Sequence, residues 1–235
     1  MLCGWHLQPS SAGSPVPRVV GRPQTFRAYP YGVEEIGLFP LGIVLLPTER
    51  IPLHIFEPRY RELIGECMES DAEFGLVYAD EEGVRDVGTR ARVEAVLERF
   101  EDGRLNVLVA GGERFRVEEL TRGRSFLTAL VADVDDDASD VEPDTAARAA
   151  GAFRALAALA GAEPEEPDER SPRLSFELAA QVELAADAKQ GLLESSSEQE
   201  RLERVAELLD GARQLLLAAR ELGEHAKQNG SRIRP

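Results

Sequence analysis

Between Ile36 and Val134 the chain repeats short apolar runs separated by turn residues, and beyond residue 145 the apolar positions move to a spacing of three and four. The first pattern predicts strands and the second predicts amphipathic helices. Strands are expected at Ile36–Leu38, Ile43–Leu46 and Ile51–Phe56, with Pro47-Thr48-Glu49-Arg50 as a turn between the second and third. Pro47 and Pro52 cannot donate ladder hydrogen bonds, which places these strands at edges, bulges or strand starts. Glu57-Pro58 predicts a helix start, because proline at the first helical position loses no needed hydrogen bond. Tyr60, Leu63, Ile64 and Cys67 then form one apolar stripe for packing on the sheet, with Arg59, Arg61, Glu62 and Glu66 on the other faces.

Further strands are expected at Glu73–Ala79, Ala91–Phe100, Arg104–Ala110, Arg114–Leu120 and Ser125–Val134. Asp102-Gly103 is a strong hairpin signal between two of them. Many short strands at close spacing predict a small barrel or curled sheet, since closure removes exposed edges. The helical half is expected at Thr145–Leu159, Leu174–Ala186, near Lys189–Glu194, and from Ser197 onward. There Ser197-Glu198-Gln199-Glu200 reads as a capping box. Leu202, Val205, Leu209, Ala212, Leu216 and Ala219 form the last helix's stripe, and Leu208, Leu215 and Leu222 widen it. A stripe that broad packs against more than one neighbour.

These patterns give an α+β chain with a β-rich unit over residues 34–135, an acidic linker over 136–144 and a helical unit over 145–223. Residues 1–33, rich in Pro, Gly and Ser, read as a disordered tail, and 224–235 as a fraying one.

Composition narrows the function classes. The 235 residues carry a formal net charge of −16, which repels polyanions and disfavours nucleic acid and anionic lipid as partners. No apolar run approaches the roughly 20 residues that cross a bilayer. The N-terminus lacks the basic and apolar regions of a secretory signal. The two cysteines, Cys3 and Cys67, sit in different contexts, a pattern that suits a reducing cytoplasm.

Several motifs occur in a recognisable order. Phe39-Pro40-Leu41-Gly42, Leu46-Pro47 and the run from Pro52 through His54, Glu57, Pro58 and Arg59 to Tyr60 resemble the signature of the Lon N-terminal domain family. That family is the substrate-recognition region of Lon proteases and also occurs as a stand-alone bacterial protein. Phe74-Gly75-Leu76-Val77, Val87-Gly88-Thr89 and the run Gly112 to Val117 agree in order and spacing, as do Lys189 to Glu194 and Glu200-Arg201-Leu202. The resemblance covers roughly residues 34–222. It implies a PUA-like β-barrel followed by a helical bundle, engaging unfolded or degron-bearing protein segments, with a separate ATP-dependent protease as a further partner. It is closest to the stand-alone form, without ATPase and protease domains.

The sequence offers little catalytic chemistry, and no enzyme is expected. No Gly-Lys pair occurs, so a phosphate-binding loop is missing, and the two lysines, Lys189 and Lys227, are poorly placed for a serine–lysine protease. A His54–Cys67 dyad is weighed against Cys67 serving as a small apolar core residue, and the core reading is preferred. Asp133, Asp135, Asp137 and Asp144 imitate a calcium loop, but Ala138 stands where the turn needs glycine, so neither metal nor cofactor is expected.

The leading expectation is a non-catalytic protein-binding module with an apolar groove between the lobes. Its candidate contact residues are His54, Glu57, Arg59 and Arg114, polar side chains embedded in the family motifs. For each of these the alternative is a structural hydrogen bond or an ion pair, such as Arg61 with Glu57 or Glu62. A small-molecule sensor would instead need an enclosed barrel-mouth pocket. An RNA-binding barrel would need a basic face, yet 22 acidic side chains stand against 12 arginines between residues 34 and 135. Oligomeric state is not legible.

Overall fold

The computed structural model describes residues 33–138 and 140–230, with side chains to residue 222. The tail expected over residues 1–33 therefore lies outside the described residues except for Val33.

The chain enters β1 (Val33–Leu41), three residues earlier than the hydrophobic run predicts, and β2 (Arg50–Ile55) follows a turn. The expected strand at 43–46 does not form. Val44, Leu45 and Leu46 are all buried, with Leu45 facing the barrel core and Val44 and Leu46 facing the helices. A segment used on both sides has no sheet edge to join, so its apolar run reads like a strand without being one.

Helix α1 (Pro58–Ser70) starts at the expected proline and buries Tyr60, Leu63, Ile64 and Cys67, the stripe read from the sequence. It is followed by β3 (Phe74–Asp80), β4 (Gly83–Val84) and β5 (Val87–Arg99). Then β6 (Leu105–Thr121) runs 17 residues, and β7 (Leu127–Asp133) closes the lobe. The expected strands at 104–110 and 114–120 are thus one strand that continues through Gly111 and Gly112. The Asp-Gly hairpin is present, with Gly103 at φ 85°, a conformation that favours glycine.

Strand order β1-β7-β6-β5-β3 closes on itself because β1 also pairs with β3 in parallel, Leu38 opposite Gly75 and Leu41 opposite Tyr78. The result is a barrel with β2 attached to β6 and β4 to β3. Register shifts between Thr89 and Ala91, Val93 and Ala95, and Val96 and Glu98 bend β5 around it. One core lies under α1, with Phe39, Leu53, Ile55, Phe74, Val107 and Val109, and a second groups Ile36, Leu38, Val77, Phe115, Ala129 and Val131.

The helical lobe comprises α2 (Pro143–Ala160), α3 (Leu174–Ala179), α4 (Ala186–Glu194) and α5 (Glu198–Gly230). The single helix expected over 174–186 breaks after Ala179, and Val182 and Leu184 pack against the core from the intervening turn. Tertiary burial overrides alanine's helix preference there. Helix α5 continues through Gly230, past the point where a tail was expected from 224. Only half of its capping box forms. Glu200 N donates to Ser197 Oγ at 3.3 Å, while the Glu200 carboxylate accepts from Ser195.

Candidate functional site

The open face of the barrel is built on β2. Among the described residues this strand pairs with β6 alone, and its other edge carries no strand. Alternation buries Leu53 and Ile55 and turns Pro52 and His54 outward; Phe56, next in the alternation, is 58% exposed. Register places Asn106 of β6 opposite both His54 of β2 and Glu98 of β5, so these three side chains form one row across three strands. Asn106 Nδ2 donates to Glu98 at 2.9 Å, which leaves its Oδ1 as the acceptor facing His54 Nδ1 at 2.6 Å. His54 therefore carries its proton on Nδ1 when neutral, and Nε2 is an acceptor with no partner among the described residues.

Around this row stand apolar groups. The His54 ring stacks on Phe56 with centroids 5.9 Å apart and meets Phe100 edge-on at 5.8 Å. Leu97 is 56% exposed. An open cleft of about 500 Å³ is lined by Pro52, Leu53, His54, Leu97, Glu98 and Asn106. Aromatic and aliphatic surface with a short row of polar groups suits an extended apolar segment that also needs a few hydrogen bonds.

Of the four contact residues expected from sequence, His54 sits in this cleft, and Glu57 and Arg59 lie beside it at the start of α1. Glu57 makes no side-chain cap; its carboxylate pairs with Arg59 at 2.8 Å, and Arg59 lies 4.4 Å over the Tyr60 ring. The pairs expected for Arg61 do not form. It donates instead to the Asp102 carbonyl at 2.7 Å, tying α1 to the β5–β6 hairpin, while Glu62 accepts from Ser125.

Arg114 corrects the sequence reading. It is 4% exposed and cannot face a partner. Projecting from β6 into the helical lobe, it donates to the carbonyls of Leu193 at 2.8 Å and Ser195 at 2.6 Å and pairs with Asp136. The same Asp136 carboxylate takes Arg201 of α5, which also pairs with Glu198 at 2.6 Å and donates to Ser175 at 3.1 Å. Two guanidiniums and two carboxylates thus balance within one cluster. Burial lowers the Arg114 pKa although Asp136 opposes it; burial also works against Arg201, but Asp136 and Glu198 prevail and raise its pKa. The acidic linker expected over 136–144 is therefore anchored at Asp136. Asp133 is also engaged, pairing with Arg90 at 2.8 Å.

A second tie crosses the same junction. Thr48 N donates to the Gly111 carbonyl, Gly111 N donates to the Glu49 carbonyl, and the Glu49 side chain receives Lys189 of α4. Val44, Leu46 and Val87 of the barrel share one apolar cluster with the helices. The groove expected between the lobes is a packed, hydrogen-bonded seam, and Arg114, assigned to recognition, is spent on joining the lobes.

Phe56, Leu97, Glu98 and Asn106 were missed as candidates. For Phe56 the signal was available: if Leu53 and Ile55 face the core, period two puts Phe56 on the His54 side. Cys67 is buried, and burial, with Glu66 adding to it, pushes its thiol up to about 12, so it carries no thiolate for a dyad with His54. Among the described residues no cluster of three or more His, Cys, Asp and Glu is arranged to hold a metal, and no helix is long and apolar enough to cross a membrane.

Fold and site together define a two-lobed α+β module, a PUA-like barrel sealed to a helical bundle, with an exposed apolar face on the barrel. The chain belongs to the ATP-dependent protease La (LON) substrate-binding domain family, whose model matches residues 35–211. It is similar to the Lon protease of Brevibacillus choshinensis, 27% identical over 218 residues, covering 86% of this chain and 28% of that protein. It is 30% identical to the Lon protease of Parabacteroides distasonis over 122 residues, 46% of this chain and 15% of that one. The chain thus spans less than a third of the length of these curated relatives.

Among solved structures, a Lon N-terminal domain protein from Xanthomonas campestris superposes with a TM-score of 0.59 at 26% identity, covering 73% of this chain and 96% of that one. The N-terminal domain of Mycobacterium avium complex Lon protease superposes at 0.60 with 18% identity, covering 75% and 98%, a likeness of fold.

Proposed function

We propose that this chain is a non-catalytic recognition module that captures exposed apolar segments of unfolded or degron-bearing proteins on the β2–β6–β5 face and hands them to an ATP-dependent protease in the cytoplasm. The observation that carries this reading is the exposure of Phe56 and Leu97 beside the His54–Asn106–Glu98 row. Membership of a substrate-binding family supports it. An extended segment would lay apolar side chains against Phe56, Leu97 and Pro52, and a backbone or side-chain N–H would reach His54 Nε2. The small-molecule reading calls for an enclosed pocket, and this cleft is open.

Fluorescence anisotropy against unstructured peptides graded in hydrophobicity, without nucleotide and at two salt concentrations, tests the proposal. Expected is saturable binding that rises with apolar content, survives salt, and falls at least tenfold in Phe56→Asp, a loss of about 1.4 kcal/mol. No binding to any peptide sinks the reading. Binding untouched by Phe56→Asp moves the site elsewhere.

A further inference from the structure

A second cleft, of about 490 Å³, lies between α1 and the β5–β6 hairpin. It adjoins the recognition face at Phe100, which meets the His54 ring edge-on and lines this cleft as well. Met68, Phe100 and Leu105 give it an apolar lining, of which Leu105 is buried and the other two half-buried. Gly103 of the hairpin turn makes room for Arg61, since a Cβ there would lie 2.7 Å from Arg61 Nη1.

Charge sets this cleft apart. Arg61 and Arg99 both line it, and neither pairs with a carboxylate among the described residues, whereas Arg50, Arg59, Arg92, Arg104 and Arg124 of the same lobe each do. Arg61 gives Nη1 to the Asp102 carbonyl, a neutral acceptor, while the Asp102 carboxylate is taken by Arg104 at 2.7 Å. Glu69 is the one carboxylate in the lining. Two guanidiniums against one carboxylate leave the lining positive, in a chain whose net charge is −16. Unanswered positive charge beside apolar surface is complementary to an anion that carries an apolar group.

The chemistry narrows the ligand further. Aspartate and glutamate spend their side chains on the carboxylate and bring no apolar group of their own. The last residue of a protein chain differs, because its α-carboxylate and its side chain leave the same Cα. We propose that this cleft captures the free C-terminal carboxylate of a client that ends in an apolar residue, with Arg61 and Arg99 donating to the carboxylate and the last side chain lying against Met68 and Phe100. The inference rests on the β2–β6–β5 face being the client surface, since the residues before the terminus then pass Phe100 onto that face.

Anisotropy with one unstructured apolar peptide, made as the free acid and as the C-terminal amide, tests this on the full chain. The free acid should bind about fivefold tighter or more at low salt, and the gap should narrow at high salt. An amidated peptide with an internal aspartate should bind no better than the plain amide. Arg99→Gln should erase the free-acid advantage and Arg99→Lys should keep part of it, with the melting temperature unchanged in both because residue 99 is exposed. Equal binding of acid and amide overturns this inference and leaves the recognition reading standing, whereas binding of neither form overturns both. An advantage that the internal aspartate reproduces, or that survives Arg99→Gln, overturns the inference too. So does competition by N-acetylleucine as strong as that of the whole peptide, which would give the cleft to a small apolar acid.

Discussion

Strand β6 serves two regions of the molecule in opposite ways. Its first half, Leu105–Val109, lies under the open face, where Phe56 and Leu97 are exposed. Its second half carries Arg114 into the seam between the lobes, where charges are buried. Ordinary patterning is inverted at both places, with apolar groups outside and charged groups inside. An inversion of either kind is informative, because each costs free energy unless a partner answers it. In the seam the partners are present: Asp136, Glu198 and the carbonyls of Leu193 and Ser195. On the open face no such partner stands among the described residues, which suits the recognition surface proposed for it.

The largest expected effect lies in the seam. Arg201→Ala removes the guanidinium between Asp136 and Glu198, leaving Glu198 without its cation and Asp136 with Arg114 alone, at a cost of about 3–5 kcal/mol. Urea denaturation should show this loss, while peptide affinity per folded molecule should remain within about twofold of wild type. If affinity collapses while the fold survives, the two regions are not separate.

Next comes Gly111→Ala. A Cβ there would lie 2.1 Å from the Leu46 carbonyl oxygen, so β6 and the 45–49 segment must move apart. The expected cost is about 1–3 kcal/mol. Because Thr48 and Glu49 hydrogen-bond to Gly111, the Lys189 tie across the seam should loosen with it. Amide exchange at Thr48 should rise before exchange at Val107, which sits in the separate core under α1.

How legible these regions were follows from their physics. The α1 stripe and the Asp-Gly hairpin were readable because local periodicity and turn chemistry decide them. The strand expected at 43–46 was misjudged because its apolar residues answer to two surfaces at once, and the helix expected over 174–186 because burial of Val182 and Leu184 against the core breaks it after Ala179. Arg114 was identified as a special position from its motif, yet no local pattern reveals whether an arginine faces solvent or a carboxylate 22 residues further on. Phe56 was legible by alternation alone. Asn106 and Glu98 were not, because their row exists only once three strands are in register.

Alkaline pH sharpens the comparison through Cys67. Its thiol titrates at about 12 in the folded chain against an ordinary value of 9.0, mainly because burial penalises the thiolate. Above pH 9 the unfolded chain releases this proton and the folded chain keeps it, so stability falls as pH rises towards 12. The slope from this group is at most about 1.4 kcal/mol per pH unit. Burial also raises the pKa of Tyr60 on the same helix, which acts in the same direction at higher pH. Cys67→Ala should be less stable at neutral pH but lose less on going from pH 9 to 10; an unchanged slope would mean the thiol is not the source.

The smallest effect is expected from Glu57 and Arg59, whose side chains are 38% and 48% exposed. A pair this open is worth about 0.5 kcal/mol or less, so a double-mutant cycle on stability should return a coupling near zero. The same cycle on peptide affinity discriminates more. If the pair merely orders the start of α1, both cycles vanish together. If the client surface extends from Phe56 onto the helix start, each single variant changes the salt dependence of binding in opposite directions, since one removes an anion and the other a cation from the same rim. A rim charge acts mainly on association rate, so stopped-flow binding at low salt is where the difference should be sought.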